Sequence, residues 1–133
     1  MSKKENKIIK IATTIIRVFF GALLVFASIA YFFKLFPTPE MEGKMKIFSE
    51  GIDASVYLMP LVKGIELICG ILFIVNRFVP LATIIIFPIV VNILAVHIYL
   101  APEGLPVALF MIVANLVLIL QNRNHYKSFL VIK

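Results

Sequence analysis

The chain has 133 residues, 62% of them apolar, while Asp, Glu, Lys and Arg together make up only 15%. A soluble domain of this size carries about 25% charged residues and could not bury so much apolar surface, which excludes a soluble enzyme, a disordered chain and a disulfide-stapled secreted module. Thirteen Lys/Arg against seven Asp/Glu leave a net charge of +6. The basic residues sit at the ends of long apolar runs, where they orient a chain in a bilayer, rather than on a face that would hold nucleic acid.

The predicted elements, in chain order, begin with a basic tail over residues 1–10 that carries Lys3, Lys4, Lys7 and Lys10. A four-helix transmembrane domain is predicted over 11–121. Its spans are expected at about 11–33, 55–75, 78–100 and 105–120, followed by a second basic tail over 122–133. The first run is about 23 residues, ~35 Å as a helix, long enough to cross. It is too long for a signal-peptide core and is interrupted by Arg17, so it reads as an uncleaved span. Backbone groups in lipid need internal partners, and no barrel-like alternation is present, so the spans must be helices. Pro60 and Pro88 are expected to bend theirs. The links around Asn76-Arg77 and at Ala101-Pro102-Glu103-Gly104 are short, which forces neighbouring spans to pack antiparallel. The longer first link holds Met41, Met45, Phe48 and Ile52 at i, i+4, i+7 and i+11, one apolar helical face, with Lys44, Lys46, Ser49, Glu50 and Asp53 largely off it. A short amphipathic helix in this outer loop is expected. The fold class is therefore an all-α, integral membrane four-helix antiparallel bundle.

With four spans, both tails and the Arg77 turn share a side. Eight basic residues stand there: Lys3, Lys4, Lys7 and Lys10 in the first tail, Arg77 at the turn, and Arg123, Lys127 and Lys133 in the second. Lys34, Lys44 and Lys46 stand on the other side, among five carboxylates. Positive-inside bias places both termini in the cytoplasm.

Three charges fall inside spans: Arg17, Lys63 and Glu66. Each costs about 2.5–3.5 kcal/mol at mid-helix, so a function or a structural tie should account for them. Counting depth from the ends of the apolar runs puts Arg17 and Glu66 within about 5 Å of one level, so an Arg17–Glu66 ion pair across the first two spans is expected. Arg17, Gly21, Leu24 and Ser28 form a stripe with small members, the usual build of an intramembrane seam. Asn92 is reckoned level with Lys63, and Asn115 near Glu66. Together these residues make a candidate inward pocket of surplus positive charge, suited to an anionic or carbonyl-bearing ligand such as a quinone or a lipid headgroup. His97, near the outer boundary, is a further candidate. The same residues have a structural reading, in which the pair fixes register and the amides bond across helices. Cys69, the lone cysteine, reads as a packing residue. No metal motif, nucleophile triad or phosphate loop is visible, so no catalytic residue is assigned.

The segments "RVFFGALLVFASIAYFFK", "KGIELICGILFIVNRFVPLA" and "FPIVVNILAVHIYLAPEGLPVALFMIVANLVLIL" follow a familiar order. With Arg17, Gly21, Glu66, Gly70, Arg77, Asn92 and His97 in place, the chain resembles the DoxX family of small four-helix bacterial membrane proteins over roughly Arg17 to Phe129. That family takes its name from a component of an archaeal thiosulfate:quinone oxidoreductase, and some relatives are linked to membrane thiol and oxidative-stress systems. The resemblance implies a redox-linked membrane subunit with a protein partner, and a lone cysteine argues against independent disulfide exchange. An assembly factor for another membrane protein, or a small-solute transporter, are the competing readings; a homo-oligomer is compatible with each.

Overall fold

The computed structural model describes residues 2–129. Five α-helices follow one another: α1 (Lys3–Phe32), α2 (Gly43–Ala54), α3 (Leu58–Val75), α4 (Val79–Tyr99) and α5 (Leu105–Gln121). One 3-10 turn, Pro102–Gly104, joins α4 to α5, and a second, Arg123–Phe129, follows α5. Four helices are long and apolar enough to cross a membrane, α5 with the turn before it counted as one. They pack α1 against α3, α3 against α4, α4 against α5 and α5 back against α1. The chain is an all-α membrane bundle. Ser2, the α3–α4 turn and the segment after α5 lie at one end, hereafter the terminal end; α2 and the α4–α5 turn lie at the other, the loop end.

The first helix starts at Lys3 rather than Ile11. Ser2 and Glu5 form a capping box: the Glu5 N–H donates to Ser2 Oγ at 3.2 Å and the Ser2 N–H donates to Glu5 Oε2 at 3.0 Å. These bonds satisfy two N-terminal donors and extend the helix through the exposed basic residues. The Ser-x-x-Glu spacing was the available signal. Of the second tail, residues 123–129 form the 3-10 turn, while 130–133, with Lys133, lie outside the described residues.

Pro60 falls in the first turn of α3, where a missing N–H costs nothing, so the bend expected there has no cause. α4 continues through Pro88. Asn76 closes α3 in the left-handed region (φ 57°), a conformation Asn tolerates, and makes the sharp turn into α4. The amphipathic helix expected in the first loop forms as α2: Met45, Phe48 and Ile52, and Met41 just before it, are half-buried, and Lys44, Lys46, Glu50 and Asp53 are exposed.

The core is built from i, i+3/i+4 stripes. Phe20, Gly21, Leu24 and Ser28 are buried on α1, and Glu66, Cys69, Gly70 and Phe73 on α3. At their crossing the backbones nearly touch. A Cβ on Gly21 would stand 2.7 Å from the Gly70 carbonyl oxygen, and one on Gly70 would stand 2.8 Å from that of Gly21. Phe20 and Phe73 stack beside this contact with ring centroids 5.2 Å apart. Ala82, Ile86 and Val90 of α4 and Ala108, Met111, Ala114 and Leu118 of α5 complete the interior. Most large apolar side chains outside these stripes are exposed, as a surface against acyl chains requires.

Candidate functional site

The close approach of Gly21 and Gly70 sets the register of α1 on α3. Running antiparallel from that point, Arg17 stands opposite Phe73 and Ile74, while Glu66 stands opposite Val25. The two charged groups are thus separated by eight residues of helix, about 12 Å. The expected Arg17–Glu66 pair does not form. Arg17 Nη1 instead donates to the Phe73 carbonyl oxygen across the seam. Glu66, 2% exposed, is paired within its own helix to Lys63, Nζ to Oε2 at 2.9 Å. The depth estimate failed because apolar runs mark where helices enter lipid, whereas register is decided by where two backbones can touch.

The other candidates also separate. Asn92 lies on an exposed face of α4, away from the interior, so four inward polar groups at matching depth are not assembled. His97 stands at the loop end, where its Nδ1 lies 3.0 Å from the Ala101 carbonyl oxygen. That oxygen can only accept, so Nδ1 carries a proton. A Cβ on Gly104 would overlap the same ring, so Gly104 leaves the space that lets His97 close the α4–α5 turn. Asn115 does face inward. It is fully buried on α5, and neither its carboxamide nitrogen nor its oxygen has a hydrogen-bond partner among the described residues.

With Lys63 neutralised by Glu66, the surplus positive charge belongs to Arg17. Arg17 lines a polar cavity of about 250 Å³ at the terminal end. Lys10, Thr13 and Thr14 accompany it on α1; Asn76 and Val79 close the side at the α3–α4 turn; Leu118, Gln121 and Asn122 of α5 form the remaining wall. No carboxylate lines it. Thr13 and Thr14 donate back to the carbonyls of Ile9 and Lys10, both at 2.8 Å, which leaves their hydroxyl oxygens able to accept as well. Asn122 Nδ2 donates to the Leu118 carbonyl oxygen at 2.7 Å. Asn115 stands one helical turn deeper than Leu118 on the same face of α5. Behind the cavity, Tyr126 of the last segment meets the buried Thr83 of α4, oxygen to oxygen at 2.5 Å, and Thr83 Oγ1 also lies 2.7 Å from the Pro80 carbonyl oxygen. Sequence reasoning named Arg17 and Asn115 but missed Lys10, Thr13, Thr14, Gln121 and Asn122 as a constellation. The signal was there: these polar residues all fall at the ends of apolar runs that the topology gathers at one end.

The fold and this site define a small integral membrane protein, a four-helix bundle with a cationic, polar cavity at one end. The DoxX family model matches residues 12–98, about two thirds of the chain, and the protein belongs to that family. The match ends within α4, short of the Phe129 limit anticipated above, and leaves α5 with Asn115, Gln121 and Asn122 outside it. No curated protein and no solved structure matches the chain.

Proposed function

We propose that this DoxX-family membrane protein holds the polar head of a small lipophilic ligand, quinone-like or anionic, in the terminal-end cavity as part of a redox-linked membrane system. The observation that carries this reading is the charge balance of the cavity: Lys10 and Arg17 line it with hydroxyls and carboxamides, and no carboxylate does. Such a wall favours carbonyl or anionic oxygen, because cationic and amide N–H groups donate to it in a medium of low dielectric. The head would enter from the membrane boundary, with the tail along the apolar outer faces of α1 and α5. The bias of Lys and Arg toward this end supports placing it in the cytoplasm, with the bundle in the inner membrane.

Native mass spectrometry of the purified protein tests the reading. The unaltered chain is expected to carry a quinone or anionic lipid, Arg17→Gln to lose it, and the double variant Lys63→Met with Glu66→Met, which removes a charge pair away from the cavity, to keep it. An empty unaltered protein, or undiminished ligand on a folded Arg17→Gln, overturns the proposal. The second reading, a structural or assembly factor, draws support from the use of His97, Lys63 and Glu66 in contacts within the chain. It requires no bound small molecule.

A further inference from the structure

The exposed face of α4 differs from the other lipid-facing surfaces of the bundle. Leu81, Ile85, Pro88, Asn92, Ala95 and Tyr99 follow one another at spacings of 4, 3, 4, 3 and 4, the 3.5-residue period of a helix seam. All but the half-buried Ala95 are exposed. One polar group on this stripe and one beside it are short of partners. The Asn92 carboxamide is exposed, and none of the side-chain hydrogen bonds among the described residues involves it. Pro88 has no N–H to give the Ile84 carbonyl, which loses its usual helical donor. On α1, by contrast, the exposed Thr14 Oγ1 donates to the Lys10 carbonyl oxygen. Acyl chains cover apolar side chains at no cost but cannot bond a carboxamide.

We infer that the α4 stripe is the seam of a two-fold homodimer, with Asn92 of each copy bonded to Asn92 of the other. Copies in one membrane share an orientation. A two-fold axis along the membrane normal therefore sets each α4 residue against its own counterpart at the same depth. A residue meeting itself must be self-complementary. Asn is, since its amide nitrogen donates and its oxygen accepts; Lys or Glu at this position would repel its own image. A single Asn in an otherwise apolar 3.5-residue stripe is also the arrangement that specifies register and partner number in paired helices.

The test uses cysteine cross-linking in lipid vesicles. Native Cys69 is buried and serves as the blank. Ile85→Cys, Asn92→Cys and Tyr99→Cys are expected to give disulfide-linked dimers on oxidation. Val113→Cys, exposed on α5, is expected to give none. Energy transfer between labelled copies diluted in lipid should show association about tenfold weaker in Asn92→Leu and little changed in Asn92→Gln. Thermal unfolding of Asn92→Leu verifies that the monomer itself is intact. Cross-linking at Val113→Cys as strong as at Asn92→Cys overturns the seam. So does a persistent monomer, unweakened association of Asn92→Leu, or capture of a different protein at position 92.

Discussion

At the scale of single residues, the buried ion pair on α3 shows how a membrane interior constrains charge. Glu66 is almost sealed from its surroundings and Lys63 is 16% exposed, at 2.9 Å from it. The pair sits at i, i+3, so the helix itself holds the two groups together without help from a neighbour. Removing one partner leaves the other buried and uncompensated, which costs about 3–5 kcal/mol, whereas replacing both by apolar residues is near neutral. Lys63→Met should therefore lower the melting temperature in detergent markedly, and Lys63→Met combined with Glu66→Met should restore most of the loss. Additive losses in that double-mutant cycle would show that each charge is held by something other than its partner. Arg17 presents the opposite case. Its carbonyl contact at Phe73 satisfies a donor but not a charge, so it remains, with Lys10, a cation available to a ligand.

At the scale of elements, the α1–α3 seam organises the rest. Without a hydrophobic drive between helices in lipid, close packing supplies the association, and small residues permit it. Gly21 and Gly70 face each other across less space than a methyl group needs. Gly70→Val should separate the helices, break the Arg17–Phe73 contact and cost several kcal/mol, on the order of an overpacked core position. Thermal unfolding reads the cost. Gly64→Ala, where the added Cβ would meet nothing within 4 Å, should leave the melting temperature nearly unchanged. Equal effects at the two glycines would mean that helix propensity, not the seam, is being measured. This seam was partly legible: the stripe of Arg17, Gly21, Leu24 and Ser28 announces a packed face, and its last three members are buried. Which residue of α3 meets which of α1 was not legible, because many pairings of two apolar helices satisfy the same pattern.

At the scale of the whole molecule, the cavity exists because three separate stretches of chain come together at one end: residues 10–17 of α1, the α3–α4 turn and the end of α5. The segment after α5 is tied back to this end by Tyr126, half-buried, against Thr83, fully buried. Tyr126→Phe removes one hydrogen bond, worth about 1 kcal/mol, and keeps the ring. Amide hydrogen exchange should rise in residues 123–129 while the four long helices stay protected. Unchanged exchange there would show that the ring, rather than the hydroxyl, anchors the segment.

The sequence by itself determined the environment, the number of spans, their antiparallel order, the amphipathic helix of the first loop and one packed face of α1. Those features follow from local composition and period, which act residue by residue whatever the neighbours do. Tertiary structure alone decided that Arg17 binds the Phe73 carbonyl and not Glu66, that Asn92 faces outward while Asn115 faces inward, and that the polar cavity lies at the terminal end. A helix as apolar as α4, with polar residues on both its buried and its exposed faces, carries no mark of which face is inward, and depth along a span does not set register. Both are settled where backbones can approach most closely, and that contact belongs to two helices at once.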